Sequence, residues 1–395
     1  MPRPSLIERA KGAHQRRLRA ELNRRLRCID AVKGPHIRVQ GRWLRNFASN
    51  DYLGLAQDPR LLAALTEAAD DWGVGAGAAH LLGGHRAPHQ ALEQALADWL
   101  EYPRALLFSS GVMANLGVLS ALLGRGDLCL QDRLNHASLL DGARLAGAEL
   151  RRYPHKDSAA AERLLQANPG RATLLVSDLV FSMDGDRAPL TELAALATRE
   201  QACLMVDDAH GFGVLGPHGR GSVADASLDA AQVPILMVTL GKALGSFGAV
   251  VLGSEELIEA LIQFARTFIY TTALPPALAA ASLCALGIAR SEDWRRQHLQ
   301  ELIRHFRARA QSLGLPLLPS DTPIQGLAIG ESGEALAWSQ ALEQHGFYAP
   351  AVRPPTVPEH QARLRITLSA AHTMADLEAL LDALGRIAER LRPVA

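Results

Sequence analysis

The chain has 395 residues, 48% of them apolar and 21% charged, and its 41 basic residues are balanced by 41 acidic ones. That length suits one large domain with a smaller companion, and the balanced charge argues against a polyanion such as nucleic acid as partner. There is no apolar leader core at the start and no apolar run of the roughly 18 residues needed to span a bilayer, so a cytoplasmic enzyme is expected.

Leu6 to Arg27 reads as an exposed helix rich in arginine, leading to a short β segment near 36–47. Residues 1–45 are expected to form an arm, 46–285 a large domain and 286–395 a small C-terminal one. Within the large domain, Ala105 to Phe108, Leu174 to Ser177, Cys203 to Val206 and Ile235 to Leu240 are short apolar runs separated by helical stretches. Strands buried on both faces and joined by helical crossovers predict an α/β fold: a mostly parallel central sheet flanked by helices, followed by a smaller α+β domain. The last helix should start at Thr373, with Asp376 three residues on as its capping partner. Cys28, Cys129, Cys203 and Cys284 lack CxxC spacing, and three of them sit in apolar surroundings that predict buried thiols.

In a parallel sheet, ligands gather beyond the carboxyl ends of the strands. Ser182, the Asp207-Asp208-Ala209-His210 run and Lys242 all fall there. Taken alone, Lys242 is an ordinary loop lysine, Asp207 a turn cap and His210 a structural histidine. Together they describe one site. A desolvated lysine amine can form a Schiff base, and a carboxylate at a strand end can hold a protonated pyridine nitrogen. Asp208 should point the other way and be structural. Ser109-Ser110-Gly111-Val112 forms a small-residue turn into a helix, which offers backbone N–H groups to a phosphate, and the Thr239 hydroxyl can join them. The cofactor these features imply is pyridoxal 5'-phosphate. The run Gly73 to Gly77 follows a helical segment and not a strand, so it is not a dinucleotide loop; a close-packed loop beside the cofactor or at a subunit contact is expected. His136 is placed to stack on an aromatic ring and donate to a carbonyl. Arg363 and Arg365 share a strand face, and spacing does not choose which would grip a carboxylate. No recognisable ligand spacing supports a metal.

Asn46 to Leu55, Asp132 to Gly142, Phe181 to Asp186, Val206 to Gly211 and Thr239 to Lys242, in this order from about residue 40 onward, resemble the α-oxoamine synthases, acyltransferases of the fold-type I pyridoxal-phosphate class. The resemblance implies Lys242 as Schiff-base lysine and catalytic base, Asp207 on the pyridine nitrogen and His136 stacked on the ring. It also implies His210 and Ser182 near the ring oxygen, and Gly111, Val112 and Thr239 near the phosphate. Arg365 and Asn50 would bind substrate, with Arg24 as an N-terminal counterpart. It implies a homodimer in which Thr272 reaches the neighbour's cofactor. The motifs are most similar to the family member that condenses L-alanine with a pimeloyl thioester, carried on CoA or on an acyl carrier protein, in biotin synthesis. A sister enzyme using glycine and another acyl-CoA, or an aminotransferase, is the alternative. Val112 replaces a usual aromatic residue, Ala79 a usual serine and His85 a frequent tyrosine; all three changes lie on the acyl and loop side.

Overall fold

The computed structural model describes residues 3, 5–20 and 22–391. It divides into two compact units: Asn50–Ser182 with Asp186–Leu299, and the N-terminal segment through Ser49 with Met183–Gly185 and the chain from Gln300.

The first unit is built on seven strands: β1 (Arg104–Phe108), β2 (Leu128–Asp132), β3 (Glu149–Tyr153), β4 (Thr173–Asp178), β5 (Cys203–Asp207), β6 (Ile235–Thr239) and β7 (Ala249–Gly253). Their spatial order is β1-β7-β6-β5-β4-β2-β3. β3, β2, β4, β5 and β6 run parallel, while β7 is antiparallel to both of its neighbours. The central strands are buried on both faces, so their sequences are continuously apolar instead of alternating. Leu106, Phe108, Val118, Leu119, Met205 and Met237 belong to one core cluster that locks the sheet to the helix Gly111–Leu122. The helix Pro59–Trp72 starts where Asp58 accepts from Arg60 N, with proline in its first turn, and stops at Gly73, whose φ is 75°.

The second unit holds a four-stranded sheet and a three-stranded sheet. In the first of these, Phe347–Tyr348 pairs in parallel with Arg42–Asn46. Thr373 and Asp376 cap the final helix as expected: Asp376 N donates to Thr373 Oγ1 (3.1 Å) and Thr373 N to Asp376 Oδ2 (3.0 Å).

Several expectations need correction. The first helix ends at Arg19 and not at Arg27. Beyond it, Arg27 makes a two-pronged pair with Glu343 (2.5 and 2.8 Å), and the backbone carbonyl of Asn23 accepts from Arg353 (3.2 Å). The strand Arg42–Asn46 pairs within the C-terminal unit, while the helix Leu6–Arg19, expected as part of an arm, buries none of its residues. The expected boundary at 285/286 falls inside the continuous helix Pro276–Ser291, which packs on Pro59–Trp72 and Ala87–Leu100 and so keeps its whole length in the first unit. Of the four thiols only Cys129 is fully buried; Cys203 is exposed because it opens its strand, and Cys28 is exposed too. The Gly73 to Gly77 run is not close-packed within the chain. A Cβ at Gly73, Gly75 or Gly77 would meet nothing within 4 Å, whereas one at Gly84 would lie 2.2 Å from Ala78 O.

Candidate active site

Asp207 is the last residue of β5 and Asp178, its register partner, the last of β4. Asp207 is 6% exposed. Its Oδ1 accepts from Ala209 N (3.0 Å) and its Oδ2 from Asn115 Nδ2 (2.8 Å). Both donors are neutral. Burial, and then the neighbouring Asp207 charge, push the Asp178 carboxyl well above its ordinary range, with Lys242 acting in the opposite direction. Asp178 Oδ2 accepts from His136 N (3.0 Å), while its buried Oδ1 has no partner. Asp208 points away, as expected. It is held by Ser222 N (2.7 Å) and Ser222 Oγ (2.6 Å), and burial raises its pKa to about 7.

Lys242 lies just past β6, in the turn closed by Gly245 N donating to Lys242 O (2.9 Å). Its Nζ is 2.7 Å from His210 Nε2, and His210 Nδ1 is 2.5 Å from the hydroxyl of the fully buried Tyr52. The same hydroxyl contacts Asn50 Oδ1 at 3.3 Å. The structure therefore brings Lys242, His210 and Asn50 into one hydrogen-bonded group, with Tyr52 at its centre. His136 caps the helix Ala137–Ala146 and is tied to Asp207 through Ser138 and Asn115. Ser182 is half-buried and follows the β4 end.

Ser110 Oγ accepts from Met113 N (3.3 Å) and starts the helix Gly111–Leu122. The N–H groups of Gly111 and Val112 lie in its first turn, outside the helix's own ladder. The Thr239 hydroxyl donates to Gly248 O (3.0 Å), so it must turn to meet a phosphate. Thr272 is exposed, and its backbone bridges to Ala79. In the second unit, Arg363 pairs with Asp184, whereas Arg365, 8% exposed, donates to Thr367 Oγ1 (3.0 Å). Arg24 donates to Thr356 Oγ1 (2.9 Å).

Tyr52, Asn115, Ser138 and Asp178 have no role assigned from sequence. Tyr52, Asn115 and Ser138 lie inside segments that carry other site residues, but only the three-dimensional contacts distinguish them from neighbouring polar residues. These surroundings suit pyridoxal phosphate. A buried carboxylate that accepts from neutral donors matches a protonated pyridine nitrogen, an amine at the adjacent strand end can attach covalently, and a helix N-terminus can accept phosphate.

Similarity to known proteins agrees with this geometry. Residues 44–384 match the family described as aminotransferase class I and II. An 8-amino-7-oxononanoate synthase of Xanthomonas campestris pv. campestris (strain B100) is 55% identical over 385 residues, 97% of this chain and 96% of the relative. A serine palmitoyltransferase from S. paucimobilis, solved with PLP and myriocin bound, superposes with a TM-score of 0.93 at 29% identity, covering 98% of this chain and 99% of that one. The crystal structure of 8-amino-7-oxononanoate synthase from Francisella tularensis gives a TM-score of 0.77 at 32% identity, over 88% of this chain and 98% of that one. With a family match across most of its length and a relative at this identity, the chain belongs to the aminotransferase class I and II family and groups there with the 8-amino-7-oxononanoate synthases.

Proposed function

We propose that this protein is a pyridoxal-phosphate acyltransferase that condenses L-alanine with a pimeloyl thioester, giving 8-amino-7-oxononanoate, carbon dioxide and free thiol. The observation that carries the cofactor is the buried Asp207 carboxylate, which among the described residues accepts from the neutral donors Ala209 N and Asn115 Nδ2, beside the Lys242 strand end. The choice of substrates rests on the Xanthomonas relative.

Lys242 Nζ would hold the cofactor covalently, with Asp207 on its ring nitrogen, His136 against its face, and His210 and Ser182 near its ring oxygen. Gly111, Val112 and Thr239 would hold its phosphate. When bound there, the cofactor supplies an electrophilic carbon for the amino group and an electron sink for negative charge at the amino-acid Cα. The Lys242 amine, when free, would remove the Cα proton of the bound alanine. Its 2.7 Å contact with His210 Nε2, supported by Tyr52 on the other ring nitrogen, holds Nζ in place for that transfer. The nucleophilic Cα attacks the thioester carbonyl and the thiol leaves. Loss of carbon dioxide from the resulting β-keto acid follows, and Lys242 returns a proton to Cα. His136 donates a hydrogen bond to the new ketone. Arg365 grips the alanine carboxylate, and Asn50 and Arg24 contact the acyl substrate.

The enzyme works as a homodimer in which Thr272 touches the partner's cofactor. Thr272 is exposed, and large apolar side chains are exposed in the same two stretches, at Val74, Leu81, Leu82 and Tyr270. Exposed apolar surface of this kind favours burial against a second chain. Among the described residues no helix is long and apolar enough to cross a membrane; the cytoplasm, where both substrates would be available, is the proposed location.

The test offers the purified protein alanine or glycine against pimeloyl-CoA, a pimeloyl carrier protein, acetyl-CoA and a long acyl-CoA. Carbon dioxide release and formation of the 7-oxo product with alanine and a pimeloyl thioester are expected. Turnover with glycine alone would overturn the assignment.

A further inference from the structure

A hydrogen-bond chain from Asp207 fixes where the His136 proton sits. A carboxylate only accepts, so the Asn115 atom 2.8 Å from Asp207 Oδ2 must be the amide nitrogen, and this sets which way the amide faces. The other hydrogen of that nitrogen goes to Ser138 Oγ at 3.0 Å. The Ser138 hydroxyl lies 2.7 Å from His136 Nδ1 and, because that nitrogen already accepts from the Ser138 backbone N–H, donates its own proton to it. The Ser138 backbone N–H reaches the same nitrogen at 3.3 Å. Two donors thus converge on Nδ1, and a neutral imidazole in that setting carries its proton on Nε2. The arrangement leaves Asn115 Oδ1 buried without a partner, which is unfavourable and shows that the Asp207 contact dictates the amide orientation.

His136 itself is exposed, and among the described residues its Nε2 has no hydrogen-bond partner, whereas Asn115, Ser138 and Asp207 are all buried. We propose that Asn115 and Ser138 are positioning residues that lock His136 in its Nε2–H form, so that the ring presents a donor to the ketone formed during condensation. The same carboxylate that would hold the cofactor's ring nitrogen thereby orients the group that serves the substrate. The role of the donor rests on the reading above; the position of the proton does not.

The test is solid-state 15N spectroscopy of protein labelled at the histidine rings, without and with cofactor. His136→Gln identifies the His136 signals among the 14 histidines. In the parent protein, a protonated Nε2 and an unprotonated Nδ1 are expected at neutral pH. Ser138→Ala keeps the backbone cap on Nδ1 but removes the hydroxyl donor. It should give a mixture of tautomers and lower kcat about 10-fold, with KM for alanine changing less than 3-fold and the cofactor's visible absorption unchanged. Ser138→Thr, which restores a hydroxyl, should recover both signals and rate. A parent His136 protonated on Nδ1, or a Ser138→Ala variant with unchanged ring signals, would overturn the proposal. The ring signals need no substrate. If they behave as expected while alanine and pimeloyl thioesters are not turned over, the functional reading fails and the tautomer assignment stands.

Discussion

Two clusters of titratable residues in the larger unit differ in how their bonding capacity is spent. At the ends of β4, β5 and β6, Asp178 keeps a buried oxygen without a partner, and Asp207 receives only neutral donors. The second group is His80, His85 and His89, whose nitrogens lie within 4.8 Å of one another, an arrangement that could hold a metal. It closes on itself. His89 Nδ1 accepts from Arg86 N (2.8 Å) and His89 Nε2 donates to Leu274 O (2.6 Å), which leaves no lone pair for a ligand. His80 stacks on Phe268 with ring centroids 4.7 Å apart, and neighbouring Glu93 accepts from Leu107 N (2.8 Å). Asp178 and the three histidines all have shifted ionisation, but of these only Asp178 keeps a buried oxygen that no described residue satisfies. The first group is therefore read as chemistry and the second as a structural clasp.

The largest effect that would test this contrast is at Lys242. Lys242→Ala should abolish the visible band that borohydride reduces and lower kcat by at least about 10³-fold. A reducible band surviving in the variant would move the attachment point elsewhere. Asp207→Asn comes next. It keeps the shape but loses the charge and one of the two acceptors that Ala209 N and Asn115 Nδ2 use, so kcat should fall by about 10²-fold with a modest weakening of cofactor binding. An unchanged kcat would mean that the charge at Asp207 has no catalytic meaning.

The strands that position this site were legible because burial on both faces makes them continuously apolar. β3 was not, because it is an edge strand with exposed Arg151 and Arg152. β7 was hidden by the glycines around it and by its reversed direction. Within the site, Lys242, Asp207 and His210 could be picked out by their spacing from strand ends. Tyr52 and Ser138 could not: their partners His210 and Asn115 are 158 and 23 residues away along the chain, and no local pattern encodes such pairs. Asp208 illustrates the reverse. Alternation alone separated it from Asp207, and its bonds to Ser222 follow from facing the other way.

The clasp makes its own prediction, of smaller size. Burial lowers the His80 pKa to about 3, with His89 and His85 adding repulsion. A histidine whose folded pKa lies below its unfolded value contributes stability that is complete above about pH 6.5 and is lost as pH falls towards 3. Melting curves of the parent should show a loss of about 2 kcal/mol between pH 6.5 and 4.5. His80→Phe, which preserves the stacking on Phe268, should flatten that loss while leaving turnover at neutral pH intact. A variant with reduced turnover and an unchanged acid slope would contradict the division between clasp and catalytic centre.

His155 sharpens the comparison from the opposite side. It is half-buried, which by itself would lower its pKa. Asp132 and Asp186, at 3.0 and 2.9 Å, override that and raise it to about 9. The sign of its contribution therefore inverts: stability is complete below about pH 6.5 and is lost as pH rises through 9. Replacing His155 with Gln should remove about 1 kcal/mol at pH 6.5 and almost nothing at pH 10, measured by urea unfolding at the two pH values. Equal losses at both would show that the ring acts through packing against Phe181, 4.4 Å between centroids, and not through its charge. The expected inequality would show that a buried histidine and a half-buried one are driven in opposite directions: His80 by burial with imidazole neighbours, His155 by the two carboxylates it faces.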